Sequence, residues 1–190
     1  IAGRLTIHVN TSGVAGTEWR TDLEVKAVGD DAAAFTLELL AERTDNSSPA
    51  VATFTVEPGA SLRLVDVVDE VFGASGNAAL RITPTSGALI ATSRTYNDSP
   101  DGTYGQYIPA LAAESAAESG RTYSLIQLAA SAAFRTNLGF VNATGTRTEI
   151  AVELYTADGV HLGTTEVVLR PHDMRPLGNV FAQVTDDEVP

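Results

Sequence analysis

The stretch Trp19-Arg20-Thr21-Asp22-Leu23-Glu24-Val25-Lys26-Ala27 decides the fold class. Its odd positions hold Trp19, Thr21, Leu23, Val25 and Ala27, while the even ones, Arg20, Asp22, Glu24 and Lys26, are all charged. Side chains of an extended strand point alternately to opposite faces, so this period of two buries one face and leaves the charged one in water. The same alternation recurs outward. Phe35, Leu37 and Leu39 alternate with Thr36 and Glu38, and Ala52, Phe54 and Val56 with Thr53 and Thr55. Ala79–Ile82 and Leu89–Tyr96 flank the turn Pro84-Thr85-Ser86-Gly87 and read as a hairpin. Asp158-Gly159, between Glu149–Thr156 and Gly163–Leu169, reads as a second, because this pair tolerates the positive φ of a tight turn. Short strands joined by Gly, Pro, Asn and Asp turns specify an all-β protein, expected as an immunoglobulin-like β-sandwich. Helices are minor: Asp66 is placed to cap Val67–Phe72, with Gly73 ending it.

The segment also has a counterpart later in the chain. Trp19-Arg20-Thr21-Asp22-Leu23 matches Phe134-Arg135-Thr136-Asn137-Leu138 at an offset of 115 residues, and the same offset aligns Phe35–Leu39 with Ile150–Leu154. After a two-residue deletion Glu57-Pro58 meets Arg170-Pro171, and Leu64-Val65-Asp66-Val67 meets Leu177-Gly178-Asn179-Val180. Three matches in register mark a duplicated β unit. The expected organisation is a first unit over 1–112, an Ala/Glu/Ser-rich linker over 113–120, and a shorter second unit over 121–190. The second unit has strand candidates at Tyr123–Leu128, Phe134–Asn142, Glu149–Thr156, Thr164–Leu169 and Arg175–Val180, and no counterpart to Ala79–Tyr96. Either the two units share that hairpin and a sheet, or the second borrows a strand from a neighbour. The charged face of the first copy becomes Arg135, Asn137, Gly139 and Val141 in the second, which suggests that this face is covered.

Composition narrows the function classes. Among 190 residues, 24 acidic against 12 basic side chains give a net charge of −12, which argues against a nucleic-acid partner. No apolar run approaches ~18 residues, so membrane insertion is not expected. Cysteine is absent, which removes disulfides, thiolate metal sites and a thiol nucleophile.

At Trp19–Leu23, Ser93-Arg94-Thr95-Tyr96-Asn97, Gly102-Thr103-Tyr104-Gly105-Gln106-Tyr107-Ile108-Pro109 and Phe134–Asn142, the chain resembles a family of poorly characterised repeat modules of large exported bacterial proteins. The resemblance implies an extracellular, non-catalytic sandwich module, and it carries over no site residues.

Catalytic chemistry finds little support. Gly73-Ala74-Ser75-Gly76-Asn77 lacks the last glycine of a nucleophile elbow and follows a helix instead of a strand. The imidazoles are His8, His161 and His172, without the spacing of a zinc site. No catalytic residue, metal centre or cofactor is therefore expected. Asn97, Asp98 and Asp101 give a faint calcium-loop pattern, but Ile108 stands where a bidentate Glu is needed, and an Asx-rich turn is the plainer reading. Tyr96, Tyr104 and Tyr107 with Gln106 could stack against and hydrogen-bond a sugar ring, although tyrosines also suit strands for packing alone. Arg20, Arg94 and Arg135, each followed by Thr, suit structural ion pairs on strands. Four glycosylation sequons, at Asn10, Asn46, Asn97 and Asn142, exceed the roughly one that chance predicts. The alternating strand Ile1, Gly3, Leu5, Ile7, Val9 could instead insert into a neighbour's incomplete sandwich. The expected role is thus a non-catalytic structural or adhesion module at the cell surface, with other protein modules or copies of itself as partners. The alternatives are a filament subunit assembled through Ile1–Asn10 and a glycan-binding module.

Overall fold

The computed structural model describes residues 4–12, 17–99 and 102–185, the first of these stretches as backbone only. The protein is an all-β sandwich with one short helix. The strands of the first unit are β1 (Arg4–Ser12), β2 (Glu18–Ala27), β3 (Ala33–Ala41), β4 (Ala50–Val56), β5 (Ser61–Leu64), β6 (Gly76–Ser86), β7 (Leu89–Ser99), β8 (Gly102–Pro109) and β9 (Leu111–Ala112). One layer runs β4-β3-β6-β1 and the other β5-β2-β7-β8. They are stitched together because β1 pairs with β6 over Arg4–Asn10 and then with β2 through Thr11 and Ser12.

The alternation seen in the sequence is what closes the core. Leu23, Val25 and Ala27 of β2 and Leu89 and Ala91 of β7 pack against Phe35, Leu37 and Leu39 of β3 and Ala78, Leu80 and Ile82 of β6. Phe35 and Phe54 stack with centroids 5.4 Å apart. Helix α1 (Val67–Phe72) plugs the sandwich with Val67 and Val68.

Two expectations about local structure are corrected. Ala79–Ile82 and Leu89–Tyr96 do not form a hairpin: β6 pairs with β1 and β3, β7 with β2 and β8, and the turn between them crosses from one layer to the other. Both strands turn apolar residues into the same core, and period-two alternation carries no information about the lateral partner. Asp66 does not cap α1 with its side chain; it takes the left-handed conformation, φ 44° and ψ 54°. Asp and Asn tolerate that region better than other residues with a Cβ, so the residue type fits the bend and not a cap.

The second unit comprises β10 (Leu138–Val141), β11 (Thr148–Tyr155), β12 (His161–Leu169) and β13 (Met174–Leu177), followed by a 3-10 turn at Val180–Gln183. β10 pairs with β13 and β11 with β12 as two-stranded sheets, and among the described residues a single parallel bridge, Glu42↔Met174, joins strand backbone of the two units. The duplication extends to the register. Leu23↔Leu64 to Lys26↔Ser61 of β2 and β5 become Leu138↔Leu177 to Val141↔Met174 in the second copy. Ala33↔Val56 to Leu39↔Ala50 of β3 and β4 become Thr148↔Leu169 to Leu154↔Gly163. The Asp158-Gly159 hairpin joins β11 and β12 as expected. Tyr123–Leu128 forms no strand, and of Phe134–Asn142 only Leu138–Val141 is extended and paired. The small core here is Ala130, Leu154, Val180 and Phe181 with partly buried Leu138, Val152 and Leu177. The charge-poor face is covered at Val141, which packs with Met174 on Leu40 and Ala79 of the first unit, while Arg135, Asn137 and Gly139 stay exposed.

Candidate functional site

The motif residues converge on the outer face of the β2–β7–β8 layer. Antiparallel pairing sets Arg20 opposite Tyr96, Thr21 opposite Thr95 and Asp22 opposite Arg94, so the two Arg-Thr motifs are cross-strand partners. Alternation sends their residues to different faces. Inward, the buried hydroxyls of Thr21 and Thr95 lie 2.8 Å apart and share a hydrogen bond. Outward, the buried Asp22 carboxylate accepts from Arg63 Nη2 at 2.6 Å, from the Asp66 backbone N–H at 3.1 Å and from the Tyr96 hydroxyl at 3.2 Å. The Arg94 guanidinium lies over the Tyr96 ring, 4.8 Å from its centroid, and donates to Thr103 Oγ1 at 2.7 Å. Arg20 Nε approaches Asp66 Oδ2 at 3.8 Å.

Burial sets the electrostatics of this clasp. It raises the pKa of Asp66 above the ordinary carboxylate value; Arg20 opposes the shift, and Asp69, Glu70 and Asp22 add to it. Burial also raises the Tyr96 hydroxyl, helped by the adjacent Asp22 charge. The hydrogen bond from Arg63 to Asp22 holds that guanidinium more firmly protonated. Each donor that reaches Asp22 comes from a different strand or from the bend before α1. The carboxylate therefore fastens β2, β5, β7 and α1 together.

The second unit repeats one bond of the clasp in neutral form. Asn137, the equivalent of Asp22, accepts the backbone N–H of Asn179 at 2.9 Å. Asn179, the equivalent of Asp66, is again left-handed at φ 43°, and the next residue, Val180, donates its N–H to the Thr136 carbonyl at 2.9 Å. The matched residues of the repeat thus perform one structural task twice.

The sugar-ring candidates are not brought together. Tyr96 is buried in the clasp, whereas Tyr104 and Tyr107 on the edge strand β8 are 64% and 66% exposed. Tyr104 opposes Asn97 and Tyr107 opposes Arg94; three residues apart on a strand, their rings leave by opposite faces. Gln106 shares the face of Tyr104. Gly105 opposes Tyr96, and a Cβ there would run into the Thr95 carbonyl oxygen and Tyr96 Cβ, so glycine is what lets β8 close onto β7. Asn97 and Asp98 lie on β7, and the Asn97 side-chain oxygen accepts the Glu18 N–H at 3.1 Å; Asp101 lies outside the described residues. Among the described residues, no group of three or more His, Asp or Glu is placed to hold a metal ion. His161 lies beside Tyr155 and Thr164 on an exposed hairpin.

Leu5, Ile7 and Val9 belong to β1, whose seven residues Arg4–Asn10 are paired with β6 of the same chain, while Ile1 and Gly3 lie outside the described residues. The Asn10 side chain is likewise outside the description. Asn46 and Asn142 are buried. A glycan on either would displace the hydrogen bonds that their amide nitrogens donate inside the fold.

No family model and no curated protein matches the chain. Among solved structures it is similar to the crystal structure of Thermotoga maritima 1070, with a TM-score of 0.46 and 12% identity over 58% of this chain and 92% of that one.

A second polar centre, at the junction of the units, escaped the sequence reading. Asn46 Nδ2 donates to the His172 carbonyl at 2.9 Å and to Ala41 and Thr44, and its backbone N–H meets the Pro171 carbonyl at 3.0 Å. Asn142 Nδ2 donates to the Thr146 and Arg170 carbonyls, and its N–H to the Asp173 carbonyl. Fully buried Asp173 accepts from Thr44 N–H at 3.1 Å and Arg175 Nε at 3.0 Å. Beside them Arg81 grips Glu38 through two bonds of 2.6 and 2.8 Å and donates to His172 Nδ1 at 3.0 Å. His172 is left-handed at φ 51°, where the first copy has Gly59 at φ 71°. The departure from glycine at a position that favours it was the available signal. The loop that reaches across, Glu42–Pro49, is also where the first copy carries its two extra residues.

Proposed function

We propose that this protein is a non-catalytic structural module of the extracellular or cell-surface kind, whose work is to hold β units in a fixed relation and to meet other protein modules. The observation that carries this reading is that the repeated motif residues are spent on the fold. Asp22 bonds Tyr96 and the Asp66 backbone, Arg94 stacks on Tyr96 and Thr21 bonds Thr95, and the second copy repeats the backbone bond through Asn137 and Asn179. A motif kept for turnover would aim unsatisfied groups at a shared cleft. The net charge of −12 suits a surface that resists non-specific association. The resemblance to exported repeat modules points the same way.

The test is location together with ligand response. Intact cells of the native source, treated with protease and probed with antibody to the chain, should lose the signal without lysis; full protection until lysis overturns the assignment. Exposed Tyr107 beside Arg94 leaves a narrower glycan-binding reading, and glycan-array binding lost in Tyr107→Ala would establish it in place of the structural one.

A further inference from the structure

The repeat shows what the described part of the second unit lacks. In the first unit β6 lies between β3 and β1. In the second, β11 and β12 reproduce β3 and β4, and among the described residues β11 has β12 as its one strand partner. Shifting β1 by the repeat offset of 115 lands on 119–127, which overlaps the strand candidate Tyr123–Leu128. That run takes no strand partner, and its Leu125 and Ile126 are 64% and 81% exposed. A strand equivalent to β6 would pair with both. Among the described residues no strand does so, and Leu125 and Ile126 stay uncovered.

Equivalent positions measure the deficit. Phe35 and Leu37 of β3 are buried, while their equivalents Ile150 and Val152 are half-buried. Part-buried Glu38 lies opposite Arg81 of β6, which chelates its carboxylate. The equivalent of Glu38 is Glu153, which is exposed, its Oε2 accepting the Tyr155 hydroxyl at 2.7 Å. In β6 the arginine is flanked by Leu80 and Ile82, opposite Leu39 and Leu37.

We propose that the second unit is a strand acceptor: the free edge of β11 binds, antiparallel, an extended segment of another protein that reads apolar–basic–apolar, with its basic residue against Glu153. An unpaired strand edge offers a row of N–H and C=O groups, and alternate side-chain positions supply specificity. The donor is a different protein because the matching Leu80-Arg81-Ile82 strand of this chain is already paired on both sides, with β3 and with β1. Charge complementarity at Glu153 and the apolar residues on either side of it, half-buried Val152 and buried Leu154, define what that segment must carry.

The probe is a labelled peptide with the sequence of Gly76–Ser86, titrated into the full chain and read by anisotropy and hydrogen exchange. Binding at one site should slow exchange in both Thr148–Tyr155 and residues 121–128. A peptide carrying Arg81→Glu should bind roughly fivefold more weakly, the scale of a cross-strand charge pair. Glu153→Arg, a substitution at an exposed position, should reverse that preference while leaving the circular dichroism unchanged. Three results overturn the proposal: no protection of β11, protection of β3 and β1 instead, or indifference to the charge swap. A chain that is already dimeric, with β11 protected before peptide is added, overturns it too, because a second copy then holds the edge.

Discussion

Asp22 is the residue on which the clasp stands, and the repeat supplies its own control. Truncation by Asp22→Ala removes the acceptor of the buried Asp66 N–H and of the Tyr96 hydroxyl. Leaving a buried backbone donor without a partner costs about 1–3 kcal/mol, and losing a bond to a charged acceptor is at the upper end of that range. The Arg63 contact is largely open to solvent and adds little after screening. With the tyrosine hydroxyl included, the loss should reach about 2–4 kcal/mol. Asp22→Asn keeps a side-chain oxygen where Asp66 needs one, as Asn137 does for Asn179, so it should lose less than half of that. Urea unfolding followed by tryptophan fluorescence isolates the effect, because Trp19, the one tryptophan, sits on β2 of the first unit. With a slope of about 2 kcal/mol per molar urea, Asp22→Ala should lower the midpoint by about 1–2 M. Equal losses in the two variants would refute the assignment of the acceptor oxygen as the working part. A shift too small to measure for Asp22→Ala would refute the clasp itself.

Gly105→Ala drives a Cβ into the Thr95 carbonyl and Tyr96, so β8 should lift from β7 at a cost of about 1–3 kcal/mol; hydrogen exchange over Gly102–Pro109 should accelerate, and unchanged protection would contradict the close approach. His172 should make the junction of the units acid-sensitive. An arginine N–H can only donate, so His172 Nδ1 is the acceptor and the ring is neutral. Burial first and Arg81 second lower its pKa below the ordinary 6.5, with Glu38 and Asp45 opposing them. The unfolded chain therefore takes up the proton first, and stability falls as pH drops from about 6.5 towards the lowered folded value. His172→Asn keeps a residue that tolerates positive φ and does not titrate; comparing unfolding at pH 7 and 5.5, it should lose less stability than the wild type, and an equal loss would assign the acid response elsewhere.

Period-two alternation revealed the strands because it reports which side of a strand is wet, and burial then follows with little choice. The residues Leu23, Val25, Phe35 and Leu37 behave as that rule requires. It is silent on lateral neighbours. For that reason β6 and β7 read as a hairpin when they lie in different layers, β6 beside β3 and β7 beside β2. Tyr123–Leu128 shows the converse failure. It is a strand candidate, but a strand exists only when its backbone groups are satisfied by a neighbour, and Tyr123–Leu128 pairs with none of the described strands. Residue type at special backbone positions misled in one instance and was overlooked in another. Asp66 reads as a cap but serves as a left-handed bend, and His172 stands where the repeat would place glycine. At Asn46 and Asn142 the same Asn-x-Thr/Ser grouping that makes a sequon also folds a tight polar turn, in which both side chains are buried. What the sequence did disclose about the site was its repetition. Aligning the two copies locates the Asp22–Asp66 and Asn137–Asn179 pairs at matched positions, and it leaves Glu153 without the arginine that its counterpart Glu38 receives from β6.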